Sequence, residues 1–304
     1  MAHHHDHQKS HDHQQSQDHQ QSQDHQQSHQ HDHQHGHSHA NHDHGSHEAL
    51  ADILDLDAEV LHEHLTEVMA WVHERTGTAA TVLDLGAGTG AGTLALARRF
   101  PAARITAVDM SPQMLDHLRH KAHAAGLADR IRTVEADLDT AWPDGVETPA
   151  DLVWAANSLH HLADPVGTLR TIRAAIRPGG HLVALEMDAF PRFLPDDVLE
   201  ARCHAAVAEA RATDMPHLGA DWAPLLRAAG FTVKAQRRFE IDLRPPLPEA
   251  TGRYAQTSLR RLRQGLEGRL SPEDLVALEA LAEAVPQHPD LTVQARRTAW
   301  IVEP

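Results

Sequence analysis

The sequence predicts an α/β protein built on a doubly wound parallel sheet, and three observations lead there. Residues 80–85 form an apolar, β-branched run that enters glycines at 86, 88 and 90 and continues into a helical stretch over 91–100. Strand-like and helix-like segments then alternate, the order required by a parallel sheet covered on both faces. With the first 47 residues set aside, about 47% of the remaining chain is apolar, ordinary for one globular domain.

Residues 1–47 stand apart. They hold 17 of the 29 His, six Asp, one Lys and only three apolar residues. Asp6, Asp12, Asp18 and Asp24 each open a six-residue unit, after which His alternates from His29 to His39. A repeat with no apolar side chain to turn inward has nothing to stack on, so a disordered tail is expected. Its dense imidazoles, without thiolates, suit loosely held Zn, Ni or Cu, and a merely solvated extension is the plainer alternative.

Next, Val60, Leu61, Leu65, Val68, Met69 and Val72 recur three or four apart, which predicts one helix over roughly 57–75, closed by Gly77. In the loop that follows, glycine lets backbone approach a ligand closely, and the succeeding helix N-terminus offers N–H groups and a positive dipole end. Residues 103–109 read as a second strand ending in Asp109, a carboxylate 19 residues beyond Gly90 that can accept both hydroxyls of a ribose. Ser111 and Pro112 mark the cap and first turn of a helix over 111–125, and 130–135 is the third strand. Ligand sites in such sheets lie beyond the carboxyl ends of the strands.

Composition removes several classes. No run of about 18 apolar residues exists to span a bilayer, and the N-terminus lacks an apolar signal-peptide region, so a cytoplasmic protein without a membrane partner is expected. Cys203 is alone, which excludes an internal disulfide and any cysteine-based metal site. Outside the tail, 37 acidic residues face 26 basic ones, a balance that opposes nucleic acid and favours small-molecule chemistry.

The glycine loop alone leaves two readings, since Gly86, Gly88 and Ala91 also satisfy the dinucleotide fingerprint. Asp84 discriminates: a negative charge two residues before the first glycine does nothing for a pyrophosphate, whereas it suits a ligand carrying an ammonium group. With Gly90 the loop reads Asp-x-Gly-x-Gly-x-Gly, and here the sequence resembles the class I S-adenosylmethionine-dependent methyltransferases. The resemblance spans residues 78–188 through five segments, 83–90, 108–112, 135–138, 151–162 and 176–183. Within that family it resembles the small-molecule branch typified by ubiquinone and menaquinone biosynthesis methyltransferases, through Ser158-Leu-His-His-Leu162 followed by Asp164 and Pro165.

That resemblance implies a Rossmann-like sheet of seven strands with the last antiparallel, 231–243 and 291–302 forming its final pair. It implies S-adenosylmethionine as cofactor. Asp84 and the loop of Gly86, Ala87, Gly88 and Gly90 would hold the methionine end, and Asp109 the ribose. Met110 would pack on the adenine face, Asp137 would accept from the adenine amino group, the Leu138 N–H would meet a ring nitrogen, and Asn157 would line the methyl-transfer side.

Methyl transfer from a sulfonium is an in-line displacement, so the protein supplies alignment, dryness and, for a hydroxyl or acidic carbon, a base. His160 and His161 are the candidates, because imidazole titrates near the working pH; packing at the strand end is the rival reading. Glu186 and Asp188 follow the fifth strand and either contact substrate or cap a loop. Residues 195–229 read as helical, with Trp222 in the core. An insertion over 244–289 carries the only tyrosine and a basic run; either it roofs the acceptor pocket, with Arg253 and Tyr254 orienting an anionic or phenolic acceptor, or most of its arginines form a solvated helix face.

The expectation is therefore a methyltransferase of small molecules with a His-rich tail over 1–47, a helical cap over 48–77, a cofactor core over 78–188 and a substrate side over 189–304. A dinucleotide-dependent oxidoreductase and a metal-responsive protein acting through its tail are the alternatives.

Overall fold

The structure, a computed structural model, describes residues 38–140 and 142–304, and of residues 38–47 only the backbone. The six-residue repeats, the disorder expected of them and their metal-binding reading lie outside the described residues.

Seven strands, β1 (Thr81–Leu85), β2 (Arg104–Asp109), β3 (Ile131–Glu135), β4 (Ala150–Ala156), β5 (Ile176–Met187), β6 (Thr232–Leu243) and β7 (Val293–Glu303), make one sheet in the order β3-β2-β1-β4-β5-β7-β6. All pairs are parallel except those of β7, which runs antiparallel to β5 and β6. The sheet is thus the Rossmann-like one implied above, and its final pair falls where expected. Because the chain reverses its direction of winding between β1 and β4, their C-terminal ends open onto a crevice.

Nine helices complete the described residues: α1 (Ser38–Val60), α2 (His62–Thr76), α3 (Ala91–Arg99), α4 (Pro112–Ala124), α5 (Pro165–Ala174), α6 (Val198–Asp214), α7 (Ala223–Ala228), α8 (Thr251–Gly265) and α9 (Pro272–Ala284). Strand alternation sorts the sheet residues between two covered faces. Leu83, Leu85, Val153 and Ala184 pack with Leu169 of α5 and with Trp222 and Leu226 near α7. Val82, Leu152, Trp154 and Leu185 pack with Val68 and Val72 of α2 and Leu96 of α3. Trp222 is fully buried, a core residue as expected. A third core joins Leu56 and Val60 of α1 to Phe193, Cys203 of α6, Leu259 of α8, Leu278 of α9 and Val293 of β7. The expected insertion is the pair α8 and α9.

Two boundaries differ from the sequence reading. The single helix over 57–75 is two, parted at Leu61, where φ is −102° and ψ 24°. Leu56 and Val60 serve the third core while Val68, Trp71 and Val72 serve the sheet, and one straight helix would not reach both. In addition α1 begins at Ser38, so the last ten residues assigned to the tail are helical. Once packing of Ala51, Leu56 and Val60 has nucleated the helix, each further residue adds a hydrogen bond at small cost. No helix among the described residues is long and apolar enough to cross a membrane.

Candidate functional site

The C-terminal ends of β1, β2 and β4 meet at the glycine loop. Gly86, Gly88 and Gly90 have φ of 72°, 51° and 86°, conformations that a side chain would strain. The space beside them belongs to the protein itself. A Cβ on Gly86 would stand 2.4 Å from Ser158 Cβ, one on Gly90 2.2 Å from Leu118 Cδ1, and one on Gly88 3.2 Å from Leu54 Cδ1 of α1. The loop amides are largely spent as well. Gly86 and Ala87 donate to the Val108 carbonyl at 2.8 and 3.0 Å, Gly90 donates to the Ala87 carbonyl at 2.9 Å, and Gly88 donates to Asp109 Oδ2 at 2.8 Å.

Behind the loop lies Asp84, 2% exposed. Its Oδ2 accepts from the Thr93 hydroxyl at 2.5 Å, and no cation pairs with it among the described residues. Burial pushes its pKa up to about 7; the Thr93 hydrogen bond opposes that rise and the nearby Asp109 adds to it. Trp154, its register partner on β4, has an indole N–H that is buried without a partner.

At the end of β2, Asp109 Oδ1 accepts from the Ser111 N–H at 2.9 Å, and the next residue, Met110, is 68% exposed, unusual for so large an apolar side chain. Beyond β3, Asp137 is exposed and its Oδ1 accepts from the Asp139 N–H at 2.9 Å. Asp139 is turned to the Ala163 N–H at 3.0 and 3.2 Å. The Leu138 N–H has no partner among the described residues.

At the end of β4, Asn157 takes φ 52°, and its Oδ1 is buried without a partner. The following turn carries the two histidines, with ring centroids 4.1 Å apart. They differ sharply. His160 is 6% exposed and its Nδ1 lies 2.6 Å from Glu186 Oε2. Glu186, 2% exposed, also accepts the Ser158 and Leu159 N–H groups on Oε1 at 3.1 and 2.8 Å. His161 sits at the surface of the turn; partial burial of its ring, then the charges of His160 and Arg261, lower its pKa to about 4. Of the two open readings of Glu186 and Asp188, both resolve as internal anchors. Asp188 accepts from the Thr298 hydroxyl at 2.8 Å and pairs with Arg238 at 3.2 Å.

The acceptor contacts expected of Arg253 and Tyr254 are corrected. Arg253 pairs at the surface with Asp52 at 2.9 Å. Tyr254 is 2% exposed and donates to Asp57 Oδ1 at 2.6 Å, an oxygen that Arg297 of β7 also meets at 2.6 Å. Arg253 is thus held in a surface pair and Tyr254 inside the third core. Conversely, no sequence pattern marks Asp55 on α1, whose Oδ1 accepts from Thr89 of the loop at 2.5 Å and from Lys121 at 2.6 Å. Its partners lie 34 and 66 positions away, beyond any local pattern.

Comparison with known proteins agrees with this geometry. Residues 82–180 match the family described as "Methyltransferase domain". The chain is similar to the release factor glutamine methyltransferase of Chlorobaculum tepidum, 40% identical over 98 residues, which cover 32% of this chain and 33% of that one. It is similar to the trans-aconitate 2-methyltransferase of Paracidovorax citrulli, 34% identical over 49% of this chain and 56% of that one. It is likewise similar to the tRNA 5-carboxymethoxyuridine methyltransferase of Escherichia coli, 35% identical over 33% and 38%. The chain therefore spans from a third to just over half the length of these relatives. The fold is shared with a candidate methyltransferase from Bacillus halodurans C-125, with TM-score 0.50 and 16% identity over 78% of this chain and 97% of that one. The sheet order is the one the resemblance implied, and residues 82–180, about a third of the chain, match a methyltransferase domain.

Proposed function

We propose that the chain transfers a methyl group from S-adenosylmethionine to a protic group of a small molecule in the cytoplasm. Asp84 is the observation that carries this reading. A buried carboxylate with one hydroxyl partner and no cation is an incomplete site, and the ammonium of the cofactor completes it. The same carboxylate, behind a loop whose amides are spent, disfavours the pyrophosphate of a dinucleotide. The remaining residues fit the cofactor too: Asp109 keeps lone pairs for ribose hydroxyls, Met110 awaits a cover, and the Leu138 N–H and Asn157 Oδ1 are unspent. Asp137 accepts the adenine amino group in this assignment. Residues 48–77 cap the site, 78–188 hold the cofactor and 189–304 face the acceptor.

S-adenosylmethionine supplies, when bound, a methyl group activated on a sulfonium. The chain's own part is then alignment and proton removal. With Nδ1 of His160 directed at Glu186, Nε2 is the nitrogen left to take a proton from the acceptor, and the buried carboxylate stabilises the imidazolium that results. His161, its pKa lowered to about 4, is a poor proton acceptor. By their names the relatives act on a small acid, a protein and a tRNA nucleoside, so the choice of a small acceptor rests on this chain's own charge balance.

Titration calorimetry tests the reading. S-adenosylhomocysteine should bind and NAD should not, and Asp109→Ala should cost about 2–3 kcal/mol of that binding through two charge-assisted hydrogen bonds. Binding of NAD alone, or an unaltered affinity of the variant, overturns it.

A further inference from the structure

Gly92 is a glycine for space and not for backbone freedom. It lies in the first turn of α3 and, unlike Gly86, Gly88 and Gly90, has no positive φ. Alanine in such a place makes the steadier helix. A Cβ there, however, would stand 2.9 Å from Trp154 Nε1, 3.5 Å from Trp154 Cδ1 and 3.4 Å from Asp84 Oδ2. The N–H edge of the indole and one oxygen of the carboxylate thus face the same point of the helix. Their strands explain the meeting: Asp84 of β1 and Trp154 of β4 are direct register partners in a parallel pair, so both side chains leave the sheet on the face that α3 covers. Trp154 is fully buried and its Nε1 has no partner, an orphaned donor that destabilises the fold unless it serves an acceptor. Asp84 Oδ2 has one donor, the Thr93 hydroxyl of α3, and Oδ1 accepts nothing among the described residues. The charged group whose field reaches Asp84 is Asp109 of β2, of the wrong sign to hold a carboxylate.

We infer that Trp154 is a positioning residue for the cofactor: its indole N–H supports Oδ2 of Asp84, keeps the carboxyl ionised and leaves Oδ1 to meet an ammonium group. The inference rests on the methyl-transfer reading. An N–H beside a buried carboxylate favours the charged form, and only that form pairs with an ammonium. Burial and Asp109 push Asp84 the other way, toward the proton, so each donor on its inner side counts. Thr93 of α3 is one such donor and Trp154 of β4 is the other.

The test follows binding of S-adenosylhomocysteine to the full chain from pH 6 to 8.5. Trp154→Phe keeps most of the ring and deletes the N–H. Its affinity should fall about three- to tenfold at pH 6.5 and return to within about twofold of the parent at pH 8.5, where the carboxyl is ionised with or without help. Thr93→Val should do the same. Trp222→Phe, which deletes an equally unpartnered indole N–H on the other face of the sheet, should leave the profile as it is. A second measurement needs no substitution at Trp154. Of the five indole N–H resonances of the nitrogen-15-labelled parent, one should shift with a midpoint near pH 7, and that shift should vanish in Asp84→Asn. Loss of affinity by equal factors across the pH range would make Trp154 a packing residue and overturn the inference. An unchanged profile, or five indole resonances indifferent to pH, overturns it as well. Failure of S-adenosylhomocysteine to bind at any pH overturns instead the reading beneath it.

Discussion

In the proposed assignment, Asp84 couples fold and ligand through one side chain. A carboxyl ionises near pH 4 in an unfolded chain but only near 7 in this native site, so between those values the native state holds the extra proton. Stability of the free protein should therefore fall as pH rises from about 4 to about 7 and level off above. Asp84→Asn removes the term: the variant should melt higher than the parent at pH 8 and match it near pH 4. Ligand binding has the opposite sign, because only the ionised carboxyl pairs with an ammonium. Affinity for S-adenosylhomocysteine should rise from pH 6 to 8 in the parent and stay weak and flat in the variant. A flat profile in the parent would remove Asp84 from the site. Glu186 offers a second residue-scale test. A glutamine there still accepts the Ser158 and Leu159 amides on its oxygen but offers Nδ1 of His160 an N–H, which forces the proton onto Nε2 and removes the base. Turnover should fall about 100-fold or more with cofactor affinity unchanged. A drop in both would mark Glu186 as merely structural. At this scale local spacing singled out Asp84, Asp109 and the histidine pair, which the fold places at or just beyond the C-terminal ends of β1, β2 and β4. It left Glu186 ambiguous, because its three partners come from 26 to 28 positions away across two strands.

At the scale of elements, the legible parts were those governed by local periodicity. Strands β1 to β3, α3 and α4 with its Ser111 cap all fall within a residue or two of expectation, whereas the final pair β6 and β7 was implied by the resemblance and not by periodicity. The break at Leu61 was hidden, since both sides of it obey the same three-four spacing and only the third core tells them apart. So was the use made of α1. Leu56 and Val60, 3% and 2% exposed, hold it down by about 2 kcal/mol each, whereas the partly exposed Asp55 contributes less than about 1 kcal/mol. Those magnitudes divide the labour: apolar burial seats the helix, and Asp55 only tunes how tightly Leu54 and Thr89 close over the glycine loop. Asp55→Ala should leave the melting temperature within a few degrees. It should raise the dissociation rate of S-adenosylhomocysteine several-fold, and speed amide exchange over 48–60. Unchanged dissociation would show that α1 does not gate the site.

On the scale of the whole molecule, the chain joins two kinds of polymer. The buried core begins at Ala51 and reaches Val302, whereas residues 1–37 contain 13 His and no apolar residue beyond Met1 and Ala2. The domain therefore has its hydrophobic driving force without the repeats, and the repeats have imidazole density without a core. Deleting residues 2–37 separates the two. The shortened chain should bind S-adenosylhomocysteine within about twofold of the parent, because every core and crevice residue is retained and a solvent-screened charge contributes only about 0.4 kcal/mol. Retention on immobilised Ni should disappear with the repeats. In the full chain that retention should hold at pH 7.5 and fail near 5.5, since imidazoles titrating near 6.5 lose their metal-binding lone pair to protons across that interval. Retention by the shortened chain would locate the metal ligands among the 16 His that follow residue 37. A large loss of cofactor affinity would show instead that the His-rich segment takes part in the crevice.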